Sequence, residues 1–135
     1  MDVEWLILAD AAQVVGGKLY LLGGGWERIA VSAPFPIQQP CAIATAFAVP
    51  WNETNQRRHV TIEIEDEDGL VIANVGGDVE VGRPPGIPTG QMQRIQLAAN
   101  FVLGLQKPGS YRIVASIDGE RKRDTTFSVL AWQGG

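Results

Sequence analysis

A chain of 135 residues, 45% hydrophobic and 19% charged, is long enough to bury one core and too short for two, so it reads as one domain over residues 1–135. Its 16 glycines and 8 prolines fall between short apolar runs rather than in a tail, which argues against disorder and for many tight connections. A net charge of −4 gives no general attraction for phosphate backbones, so nucleic acid is not expected as a partner, and Cys41, the one cysteine, permits neither an intrachain disulfide nor a thiolate cluster.

The chain opens with Asp2 and Glu4 where an export signal carries basic residues, and the apolar run over 5–9 is too short to span a bilayer. The expectation is a cytoplasmic protein without a membrane partner. Residues 3–9 read as a strand. Residues 10–17 allow a strand turning through Gly16 and Gly17 or a short helix capped by Asp10; the hairpin is the reading adopted, with 18–22 as its second arm. The triple glycine at 23–25 has no following Lys and Ser or Thr to make a phosphate cradle, and reads as a bulge or bend with Trp26 packing over it. Strands are expected at 26–31 and 41–49. The second is apolar on both faces, with Cys41, Ile43, Phe47 and Val49 on one side and Ala42, Ala44, Ala46 and Ala48 on the other. Its flat alanine face lies either beneath a loop or the amino-terminal segment, or against a second subunit.

Trp51, in the following connection, reads as a plug for the end of the core or as a contact residue. Residues 58–65 show strict alternation, Val60, Ile62 and Ile64 against Thr61, Glu63 and Glu65, the period of a half-buried strand. The acidic turn at 66–69 leads into 70–73 as a hairpin, with a further short strand at 79–81. Residues 83–90 hold three prolines and read as a crossing between two sheets, or as a stiff binding loop presenting Arg83 and Ile87. Strands follow at 94–102, 110–118 and 120–130. Pro108, Gly109, Ser110 and Tyr111 place a tyrosine just inside a strand after a turn, which resembles the tyrosine corner of sandwich domains. The sum is an all-β chain of about eight or nine strands, an immunoglobulin-like, Greek-key β-sandwich without a disulfide.

Chemistry is sparse. His59 is the one histidine; its register faces it outward beside Arg57 and Arg58, while Cys41 falls in a core strand, so no nucleophile and base are brought together. One histidine also leaves zinc without a ligand set. Asp66, Glu67 and Asp68 would hold calcium only if another loop added a carboxylate such as Asp10 or Asp118, and turn geometry already accounts for them. No catalytic residue, metal or cofactor is assigned. The candidate binding residues are Arg83, Ile87, Trp51 and Trp26.

The wording of 6–50, with LADAAQVVGGKLYLLGGGW at 8–26 and Pro34, Phe35 and Pro36 after it, together with PWNETNQR at 50–57, the turn at 66–69, VGRPPG at 81–86 and PGSY at 108–111, resembles a bacterial single-domain family of unknown function. That resemblance implies no activity, cofactor or site residue. The leading expectation is a non-enzymatic protein-interaction module, acting through a sheet edge or end loops on a protein partner or a second copy. The alternative is a small-ligand domain, for a carbohydrate, with Trp26 or Trp51 as stacking platform and Asn52, Asn55 or Arg83 as polar contacts. An enzyme would require a cleft gathering His59 with carboxylates.

Overall fold

The computed structural model describes residues 1–32 and 34–131. Alternating and β-branched runs form ten strands: β1 Asp2–Ala9, β2 Ala11–Val15, β3 Lys18–Leu22, β4 Arg28–Val31, β5 Ile37–Val49, β6 Arg58–Glu65, β7 Val71–Val79, β8 Gln93–Leu105, β9 Gly109–Ile117 and β10 Glu120–Ala131. A 3₁₀ turn at Trp51–Glu53 follows β5. The strands make a three-stranded sheet ordered β1-β5-β8, a five-stranded sheet ordered β4-β10-β9-β6-β7, and the separate hairpin β2-β3. All pairings are antiparallel except β4 on β10, which is parallel.

Period-two alternation turns one face of each large sheet inward, and the two faces share one core. Leu6, Leu8, Cys41, Ile43, Phe47, Leu103 and Leu105 come from the first sheet; Val60, Ile62, Ile64, Tyr111, Ile113, Ile117, Phe127 and Val129 come from the second. The tyrosine expected at a corner donates its hydroxyl to the Lys107 carbonyl. Its ring stacks on Phe127 at 5.3 Å between centroids, so one residue ties a turn to the core beneath it.

Residues 41–49 are buried throughout because both faces of β5 are covered. The alanine face is closed by the chain itself: Ala12 and Leu19 of the β2-β3 hairpin pack on Ala42 and Ala44, with Ala9 and Ala98 beside them. Asn100 on β8 fastens the hairpin, its side-chain oxygen accepting from the Ala12 N–H at 3.0 Å and its amide donating to the Ala12 carbonyl at 2.7 Å. Gln96 adds a bond to the Gly17 carbonyl at 2.7 Å. Self-association through this face is therefore corrected, since alanines were needed to let a second layer approach closely. The same hairpin decides residues 10–17 against a helix.

Three boundaries also differ from expectation. The described residues form ten strands rather than about eight or nine, and the segment at 79–81 is not a strand of its own, because β7 runs unbroken through Gly76 and Gly77 to Val79. A side chain at Gly76 would meet the Thr61 methyl and the Val60 carbonyl oxygen at 3.1 Å, so the glycine marks close approach of two strands, not a break. β5 likewise passes through Pro40. Pairing with β1 begins at Ala42, so Pro40 stands on a stretch of β5 paired with β8 alone, an edge position of the kind that tolerates proline. Trp26, expected inside a strand, precedes β4.

Candidate functional site

The two long flanks of the paired sheets are unlike. On the flank where β1 and β4 end the sheets, segment 23–27 fills the gap: the Gly25 N–H donates to the Leu8 carbonyl at 2.7 Å, and Trp26 meets Phe127 edge-on at 5.7 Å between centroids. Arg123 donates to the Val3 carbonyl at 3.2 Å. The edge of β1 is thus occupied by the chain's own groups.

On the other flank, β8 and β7 are the terminal strands of their sheets, and a groove runs between them. It consists of two recesses of about 320 and 280 Å³ that share Ile43, Ile62, Val75 and Ala99. The first extends towards Ala73, Phe101 and Val102, the second towards Val79, Leu97 and Asp78. Val75 is 43% and Val102 58% exposed. Residues 71–77 and 95–105, which form most of the two edges, contain no charged residue and no proline. The sequence pointed to β8 at 94–102 and to β7 only in part, at 70–73, and not to the groove, because nothing local reveals which two edges fail to meet.

Crossing 80–92 connects β7 to β8, as expected of a link between sheets, and so bounds one end of the groove. Arg83 lies over the Trp51 ring at 4.0 Å, donates from Nε to Thr54 Oγ1 at 2.6 Å and from a terminal nitrogen to the Trp51 carbonyl at 2.9 Å. The Asn55 N–H donates to the Val81 carbonyl at 2.7 Å. The structure therefore brings Arg83 and Trp51 together as a clamp that fixes the crossing, with Ile87 half-buried further along it. Trp26 stands apart, half-buried on the β1 and β4 flank beside a recess of about 330 Å³.

His59 is exposed, as its register requires, with Nδ1 2.9 Å from Asp78 Oδ1. Its backbone N–H donates to Asp118 Oδ1 at 2.9 Å, and Arg58 donates to Asp118 Oδ2 at 3.0 Å. Those donors hold the Asp118 carboxyl below its usual range, the His59 amide contributing most. Cys41 is 2% exposed, and burial pushes its thiol up to about 11. The acidic turn is engaged by its own surroundings: Asp66 Oδ1 accepts from the N–H groups of Asp68 and Leu70, Glu67 accepts from Ser110, and Asp68 pairs with Lys107 at 3.2 Å. Among the described residues no three His, Cys, Asp or Glu side chains gather as a metal site. The basic run at 121–123 straddles a bulge in β10 and is split between Glu65, Glu120 and the Val3 carbonyl. Among the described residues no helix is long and apolar enough to cross a membrane.

A family model described as a family of unknown function (DUF6941) matches residues 4–130. No curated protein matches the chain. Among solved structures, a β-glucuronidase from glycoside hydrolase family 2 is similar at 19% identity with a TM-score of 0.36, over 68% of this chain and 10% of that one. The chain thus spans about a tenth of that enzyme's length.

Proposed function

The chain belongs to DUF6941, a family of unknown function, and we propose that it is a protein-interaction module whose open flank takes up an extended strand of a partner protein. The observation that carries this reading is the pair of terminal strands, β7 and β8, uncharged over residues 71–77 and 95–105, on either side of an apolar groove. Sheet edges carry unpaired N–H and C=O groups, and folded proteins ordinarily blunt them with lysine, proline, bulges or a covering segment. Segment 23–27 provides such a cover on one flank, whereas no described strand pairs with the outer edge of β7 or β8, which carry no charge over residues 71–77 and 95–105. A partner strand would satisfy backbone groups along either edge while placing alternate side chains against Ile43, Ile62, Val75 and Ala99. The clamp of Arg83 on Trp51 fixes the crossing at one end, so less ordering accompanies binding. The alternative of a carbohydrate platform has weaker support, since one face of Trp51 is already covered by Arg83.

The test is selection of random peptides displayed on phage against the folded chain, with counter-selection on Val75→Lys. Enrichment of extended sequences that lose binding to the variant supports the reading. Ligands that bind wild type and variant alike overturn it, as does an absence of any enriched sequence.

A further inference from the structure

Resting on that reading, we infer that the strand taken up carries two apolar side chains at alternate positions, i and i+2, and a basic residue at the end lying beside Asp78. The two recesses are offset along the edges. One spans residues 73–75 of β7 and 99–102 of β8, the other 75–79 and 97–99, with Val75 and Ala99 common to both. Their middles are thus two to three residues apart on each strand, roughly 7–10 Å at about 3.4 Å per residue. Residues i and i+2 of an extended chain project from the same face roughly 7 Å apart, so one side chain can enter each recess while the intervening one points to water. Adjacent apolar residues would put one of the pair on the wrong face.

The charge follows from the ends. Asp78 is the one charged residue lining either recess. Its Oδ1 meets the His59 ring, and among the described residues its Oδ2 has no hydrogen-bond partner. Glu80, exposed, lies two residues further on. Towards Ala73 and Phe101 the groove ends among Asn74, Asn100 and Val102 without a charge. A cationic side chain is favoured at the first end and a neutral one at the second.

Synthetic peptides decide this by fluorescence anisotropy. Asp78, paired with the outward His59, lies on the outer face of β7, so the lysine stands one residue out of step with the valines: the probe is Ser-Thr-Lys-Val-Thr-Val-Thr-Ser, with Ser-Thr-Val-Thr-Val-Lys-Thr-Ser for the other strand direction. Controls are an isomer with the two valines adjacent and a version with glutamine in place of lysine. One lysine version is expected to bind wild type at least tenfold more tightly than the adjacent-valine isomer. Asp78→Asn, checked for an unchanged melt, should weaken that peptide about three-fold, as for an exposed ion pair, and leave the glutamine version unaffected. Equal binding of the isomers, or indifference to Asp78→Asn, overturns the inference while leaving intact the binding module defined by dependence on Val75. Designed peptides that fail where displayed peptides succeed overturn it too. If neither kind binds, the inference and the module fall together.

Discussion

Val75 on β7 and Ala99 on β8 line the same groove from opposite sheets, and among the described residues no strand lies between them. On the opposite flank the Leu8 and Val3 carbonyls of β1 accept from the Gly25 N–H and from Arg123. If this gap is a docking site, a charge at Val75 should abolish binding without harming the fold, because an exposed edge tolerates lysine. Val75→Lys is expected to melt within about 1 kcal/mol of wild type and to bind displayed ligands at least tenfold more weakly. Circular dichroism and anisotropy read the two quantities separately.

The hairpin over the alanine face depends on Asn100, which satisfies both backbone groups of Ala12. Asn100→Ala should cost about 2 kcal/mol, since two part-buried backbone groups lose partners. Urea unfolding measures the loss. Hydrogen exchange should speed up over residues 11–22 before it does over 41–49.

Ala44 is fully buried beneath that hairpin. Ala44→Glu should therefore destabilise the chain by about 3 kcal/mol or more, through an unpaired carboxylate driven into a packed layer. A variant that stays folded, with a melt like that of wild type, would contradict the placement of the hairpin.

Cys41 supplies a pH signature. Its thiol is raised from 9.0 to about 11 by burial, so between those values the unfolded chain gives up a proton that the folded chain keeps. Stability from this group is intact below pH 9, falls as pH rises towards 11, and changes by up to about 3 kcal/mol. Cys41→Ala should show a correspondingly shallower alkaline decline in urea titrations, and a thiol reagent at pH 8 should react with wild type only after unfolding.

Tyr111→Phe removes the bond to the Lys107 carbonyl and keeps the stack on Phe127. The expected loss is about 1 kcal/mol with no effect on peptide binding, because the corner and the groove share no lining residue.

The sequence disclosed what is local. Alternation of Val60, Ile62 and Ile64 named a strand and its inner face, and Pro108 to Tyr111 named a turn whose tyrosine bonds back to Lys107. The double apolar character of 41–49 correctly required a cover or a partner, but choosing between them needed the Asn100 contact, 88 residues from Ala12 in the chain. The expected strands at 70–73 and 41–49 fell short of β7 and β5, which run on through Gly76 and Pro40, residues whose fit in a strand depends on their neighbours. Of the candidate site, Arg83 and Trp51 were found by residue type, although their partnership was not. The groove was invisible because its two edges are defined by what each lacks in space, and absence of a neighbour leaves no trace in local pattern.

The most direct test of the docking site is amide hydrogen exchange of the chain with and without a selected peptide ligand. The account predicts that exchange slows at least tenfold within β7 or within β8, while β1 and the hairpin over residues 11–22 are unchanged. Protection that falls instead on the hairpin, or on the Trp26 flank, would contradict it.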